Sequence, residues 1–143
     1  VLRMLLTFLP ASTLSKYPNV YELYLAKDGL KPFLPNWEDA ASLLLQQLQN
    51  ELLHTQDPAG YELLNKILAW PHIPQSWQYR AKELNQGPIY EFTIKNNQVS
   101  LSFFSTLTTL GTPQDITLQE LRIESFFPAD EATEQWFVTG SLD

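Results

Sequence analysis

The sequence predicts an α+β fold, and a change of hydrophobic period along the chain is what predicts it. Up to about Leu84 apolar residues recur at three- and four-residue spacing, and from about Pro88 to Phe127 they alternate with polar ones. Short turn signals separate the alternating runs, so sequential strands pair as an antiparallel meander. The expected architecture is helices packed on one face of an antiparallel sheet, a three-strand meander spanning Tyr90–Phe127.

The elements follow in order. The run Val1-Leu2-Arg3-Met4-Leu5-Leu6-Thr7-Phe8-Leu9 has no initiator Met; Arg3 interrupts it and Pro10 ends it, unlike a secretory signal. It reads as the remainder of a helix that starts upstream. Pro18, Pro32 and Pro35 punctuate the next region, where Asn19 to Ala26 forms a short helix stopped by Asp28-Gly29. A longer helix starts at Asn36, whose side chain can accept a backbone N–H of the first turn, with Glu38 and Asp39 suited to the positive end of the dipole. Trp37, Ala40, Ala41, Leu44, Leu48 and Leu52 draw its apolar stripe as far as about His54. Asp57-Pro58 repeats the start signal, Tyr61, Leu64, Ile67 and Leu68 give the next face, and Pro71 and Pro74 end it. A further helix is expected over Gln75–Leu84.

In the alternating half Tyr90, Phe92 and Ile94 point one way and Glu91, Thr93 and Lys95 the other. Asn96-Asn97 supplies residues that tolerate positive φ in a tight hairpin turn. The second strand runs from Val99 to about Leu110, with Val99, Leu101, Phe103 and Leu107 on one face, and Gly111-Thr112-Pro113-Gln114-Asp115 turns the chain. A third strand runs from Ile116 to about Phe127, and Asp130 caps a final helix through Trp136.

Composition removes several classes of function. A chain of 143 residues with 44% hydrophobic and 17% charged residues can bury one core and is not intrinsically disordered. No apolar run reaches the ~20 residues of a membrane span. The absence of cysteine excludes a Cys-ligated metal site and fits the cytoplasm. Sixteen acidic against nine basic residues give a net charge of −7, which repels a phosphate backbone and an anionic membrane surface alike.

No catalytic constellation stands out. His54 and His72 lack a carboxylate or second histidine at ligand spacing, so they read as surface or helix-end residues and no metal or other cofactor is expected. Ser105 lies among strand residues instead of at a strand-to-helix elbow, and a hydrolase built on Ser105 or Thr108 would need a histidine brought to it by the fold. The five glycines are scattered and make no phosphate loop. Glu120, Arg122 and Glu124 form a charged row on the third strand, opposite Leu121, Ile123 and Phe127; such a row reads first as a solvated sheet face. What is unusual is the aromatic content: four Trp, six Tyr and eight Phe. Most of these rings belong to a core, yet together they permit a pocket, with the hydroxyls of Tyr90, Thr106 or Thr108 orienting an apolar ligand.

From Leu101 to Asp130 the chain resembles the C-terminal part of MmyB-like transcription regulators, with Leu101-Ser102-Phe103-Phe104-Ser105-Thr106, Gly111-Thr112-Pro113-Gln114-Asp115 and Leu121-Arg122-Ile123-Glu124-Ser125-Phe126-Phe127-Pro128 as landmarks. Asn19-Val20-Tyr21-Glu22-Leu23-Tyr24-Leu25 and Asn36-Trp37-Glu38-Asp39-Ala40-Ala41 resemble that family's helical middle. Pro18 stands where an Arg is common, which removes one polar contact. The resemblance implies a PAS-like ligand-sensing domain in a bacterial regulator, joined to an upstream helix-turn-helix of the XRE type, with its first strands preceding Val1. It implies a small apolar ligand, fatty-acid-like, and no catalytic residues. DNA would be reached only through that upstream domain.

The whole chain is thus expected to be one sensor domain. Trp37 and Leu44 of the helical layer would face Tyr90, Phe92, Phe103, Leu121 and Ile123 of the sheet around an apolar cavity. A ligand would act by favouring one packing of helices over another. The alternative is a solid-cored dimerisation module whose exposed aromatics form a homodimer interface.

Overall fold

The computed structural model describes residues 9–84, 91–109 and 122–139, and for 107–109 and 122–124 the backbone alone. The apolar start before Leu9, Tyr90, the turn at Gly111–Asp115 and the strand residues 116–121 lie outside the described residues. The described residues are α+β, six α-helices and a three-strand antiparallel sheet. The chain divides into two compact units, Val1–Pro88 and Ile89–Asp143.

The first unit is helical: α1 (Ala11–Lys16), α2 (Val20–Leu25), a 3-10 turn (Lys31–Phe33), α3 (Trp37–Thr55), α4 (Pro58–Leu68) and α5 (Trp77–Leu84). Asn19 caps α2 by accepting the Tyr21 N–H at 2.8 Å. The chain then folds back tightly: the N–H of Leu30 donates to the Leu23 carbonyl at 2.9 Å and that of Gly29 to Ala26 at 3.0 Å. A Cβ on Gly29 would collide with the Leu23 carbonyl oxygen, so the turn needs a residue without a side chain.

Helix α3 is the spine of this unit and packs against α2, α4 and α5. Its buried stripe is Trp37, Ala41, Leu45, Leu48 and Leu52, with Ala40 and Ser42 beside it. Leu44, expected in the stripe, is half-buried, and Leu45 takes its place with no exposed surface. Both fit helical spacing; neighbouring helices decide between them. Asn36 precedes the helix at φ −103°, ψ 40°, outside the extended region from which a side-chain cap is made, and its side chain does not cap. Its carbonyl instead accepts from Asp39 and Ala40 at 3.1 and 3.2 Å. At the other end Gln56 takes a left-handed conformation, φ 50°, and donates its N–H to Leu52 at 2.8 Å. Asp57 then caps α4 as expected, accepting from the N–H groups of Ala59 and Gly60 at 3.2 Å each. Leu64 and Ile67 bury the α4 face, and the Tyr61 hydroxyl donates to the Leu52 carbonyl at 3.1 Å.

The second unit contains β1 (Glu91–Lys95), β2 (Ser100–Thr109), β3 (Arg122–Pro128) and α6 (Glu131–Thr139), with strand order β1-β2-β3. The turn between β1 and β2 differs from the expected one. Neither Asn96 nor Asn97 has positive φ. Instead the Asn96 side chain accepts the N–H groups of Gln98 and Val99, both at 2.8 Å, and its own N–H donates to the Val99 carbonyl at 2.9 Å. Asparagine bends the chain here with its side chain, not with its tolerance of a left-handed backbone.

Register sets which strand residues share a face. Phe92 pairs with Phe103 and Ile94 with Leu101, while across β2 Ser105 pairs with Phe126, Leu107 with Glu124 and Thr108 with Ile123. Phe92, Ile94, Leu101, Phe103 and Phe126 therefore belong to one alternating set, and Phe104 and Phe127 to the other. Beyond the end of the β3 ladder the edge of β2 is closed by the chain leading into α6. Ala129 N–H donates to the Ser102 carbonyl at 2.8 Å, and the Ser102 N–H to the Thr133 hydroxyl at 2.9 Å.

Candidate functional site

The helical unit carries an open cleft of about 320 Å³ where the 3-10 turn, the start of α3 and α5 meet. Lys31, Leu34 and Pro35 form one side; Asn36, Trp37 and Glu38 follow from the α3 start, and Arg80 reaches in from α5. Trp37 is fixed from several directions. Its indole N–H donates to the Tyr24 carbonyl at 3.0 Å and its backbone N–H to Leu34 at 3.1 Å. The Lys31 ammonium sits 3.7 Å from the centroid of the indole, a close cation–π arrangement.

The row of rings does not end there. His72 lies 5.7 Å from Trp37, and Trp70 lies 5.7 Å beyond it in a stacked arrangement. Tyr17 meets Trp70 edge-on at 6.4 Å. His72 Nε2–H donates to the Leu25 carbonyl at 2.7 Å, which locks the imidazole in place. Tyr17 in turn donates its hydroxyl to Asp28 at 2.7 Å, and Lys16 donates to the same carboxylate at 2.7 Å. Lys16 first and Tyr17 second hold the Asp28 carboxyl at about 2, well below the usual range.

Charge around the cleft is unevenly distributed. Arg80 pairs with Asp39 through Nε and with Glu38 at 3.5 Å through a terminal nitrogen, so two carboxylates serve one guanidinium. Lys31 has no carboxylate partner among the described residues. Elsewhere in the unit the buried Glu22 is paired with Lys66 of α4.

The sequence-predicted site residues divide between the units. Trp37 lines the cleft and is buried, and Leu44 is half-buried on α3. In the sheet unit Phe92 stacks on Phe103 at 5.5 Å and meets Phe126 edge-on at 5.8 Å, while Phe137 of α6 covers Phe103 at 5.6 Å. Phe104 and Phe127 stack at 5.3 Å in the other alternating set. Ile123 lies in β3, where the structure describes its backbone. It pairs with Thr108 of β2. Arg122 and Glu124 pair with Thr109 and Leu107. Tyr90 and Leu121 lie outside the described residues.

Sequence reasoning missed Lys31, Arg80 and the role of His72. Their only shared signal was proximity to a Trp or a Pro, which is too common to single them out. His54 bonds the Asn50 carbonyl through Nδ1 at 2.7 Å, as a helix-end residue does. Ser105 pairs with Phe126 in the sheet. Among the described residues no group of three His, Asp or Glu could hold a metal ion, and no helix is long and apolar enough to cross a membrane.

Comparison with known proteins adds one match. The family model of the MmyB-like transcription regulator ligand binding domain covers residues 2–138, and so spans both units. No curated protein and no solved structure matches significantly.

Proposed function

We propose that this chain, which belongs to the MmyB-like transcription regulator ligand-binding domain family and so to regulators and not to enzymes, binds a small apolar, fatty-acid-like molecule. In this reading it works in the cytoplasm of a bacterium and passes its occupancy to a helix-turn-helix DNA-binding domain attached to it. The match of one ligand-binding family over residues 2–138 is the observation that carries the reading. The aromatic content of the chain, four Trp, six Tyr and eight Phe, supports an apolar ligand over a polar one. The proposed contacts are Trp37 and Leu44 in the helical unit, and Phe92 and Phe103 in the sheet unit. Leu44 is suited to the role because the core stripe leaves it half-buried.

Occupancy would act as any ligand acts on a two-state protein, by binding one conformation more tightly than the other. The test is a thermal-shift series with saturated fatty acids of increasing length. A ligand at a hundred times its Kd adds about 2.7 kcal/mol and raises the melting temperature by several degrees. No stabilisation by any acid or other apolar compound would overturn the reading.

An alternative, the dimerisation module, draws its support from the exposed side chains of Phe127, Phe137 and Val138 in the sheet unit. Light scattering on the purified chain separates the two: a ligand-independent dimer favours the module, a monomer the sensor.

A further inference from the structure

We infer that the cleft at Trp37 receives the carboxylate of a monocarboxylic acid on the Lys31 ammonium. This deepens the function proposed above, on which it rests, by assigning the polar end of the ligand and its partner. Three observations carry it. First, Lys31 is held at the cleft wall against the Trp37 ring at 3.7 Å, half-buried, where a surface lysine would sweep through solvent. Second, it is the basic side chain of the cleft that no described carboxylate offsets, since Arg80 is shared by Asp39 and Glu38. In a chain of net charge −7, a cation so placed leaves room for an anion brought from outside. Third, the exposed Pro35 lines the same cleft, so an aliphatic chain leaving the carboxylate meets apolar surface there.

The same geometry selects among anions. Glu38 lines the cleft and Asp39 adjoins it, so a second negative charge on the ligand would be repelled where a single one is accepted. A monocarboxylate fits; a phosphate dianion or a nucleotide does not. The cleft volume of about 320 Å³ accommodates the head and the first part of an alkyl chain.

Octanoate, 1-octanol and inorganic phosphate are the probes, titrated calorimetrically into the chain and into the variants Lys31→Met and Lys31→Arg. Methionine keeps an apolar stem against the indole without the charge, and arginine keeps the charge. Octanoate should bind the unaltered chain at least about tenfold more tightly than octanol, the preference expected of a hydrogen bond to a charged group. Lys31→Met should lower octanoate to the level of octanol, while Lys31→Arg stays within about threefold of the unaltered chain. Octanoate should also shift the Trp37 indole N–H resonance. Urea unfolding of both variants checks that they fold.

Equal binding of octanoate and octanol, an undiminished preference in Lys31→Met, competition by phosphate, or binding that leaves Trp37 unmoved would each overturn the assignment and leave the apolar ligand intact. If octanoate, octanol and the longer acids all fail to bind, the proposed function falls as well.

Discussion

Thr133 of α6 is a small buried polar side chain on which two elements depend, and replacing it with valine isolates that dependence. The side chain has no exposed surface. Its hydroxyl oxygen accepts the Ser102 N–H at 2.9 Å, and its own N–H donates to Asp130 at 2.7 Å. Valine has almost the same shape and removes only the hydroxyl, so the Ser102 N–H at the edge of β2 loses its acceptor. A buried donor left without a partner costs about 1–3 kcal/mol, which sets the expected loss at about 2 kcal/mol. Thr133→Ser keeps the hydroxyl and loses one methyl, worth about 0.8 kcal/mol.

A pH dependence accompanies the loss. Hydrogen bonds from Thr133, the side chain first and the backbone second, hold the Asp130 carboxyl below its usual value. A carboxyl depressed in the folded state contributes stability that is present above its unfolded pKa of about 3.9 and is lost as pH falls through the folded one. With the hydroxyl gone the depression shrinks, so Thr133→Val loses less than the unaltered chain between pH 7 and pH 3 and the gap narrows on acidification. Urea midpoints at the two pH values measure this. The reasoning is refuted if Thr133→Val is as stable as the unaltered chain at pH 7, if Thr133→Ser falls as far as Thr133→Val, or if the gap widens in acid.

Two further expectations are direct. Leu45→Ala should cost about 2–5 kcal/mol in urea unfolding, as a fully buried leucine does, and Leu44→Ala less than half as much; equal losses would mean that the stripe is misassigned. Asp28 should titrate near 2 by carboxyl NMR and move back up in Lys16→Met, since Lys16 is the larger of its two causes. Because the pair is exposed, global stability at pH 7 should barely change. Any part it does contribute disappears as pH falls below about 4 toward the folded value.

What the sequence made legible was local. Asp57-Pro58 announces the start of α4 by chemistry confined to a few residues, and the structure makes the cap. Asp130 announces α6 in the same way. The strand periods were equally readable, because alternation is a property of each strand alone. Legibility failed where a distant neighbour decides. Leu44 and Leu45 both fit helical spacing, and only the packed structure selects Leu45. Which strand residues stand opposite one another, as Thr108 and Ile123 do, is a long-range fact that alternation alone does not give. Asn36 and Asn96 were identified as turn or cap residues, yet how each satisfies the backbone depends on a backbone angle no composition reveals. The cleft was invisible because Lys31 and Arg80 come to line one cleft only once α5 is laid against α3.

The row that runs from Lys31 through Trp37, His72 and Trp70 to Tyr17 has no slack in it. Each inner ring lies between two neighbours of the row, and Trp37, His72 and Tyr17 are also pinned by a hydrogen bond to a carbonyl or a carboxylate. Close-packed rings held in place resist compression better than side chains with rotamers to spare. Whatever presses on the indole at one end is met at the other by Tyr17, just past α1, which makes the row a strut. Shortening it at His72, in the middle, would leave both ends folded and out of touch.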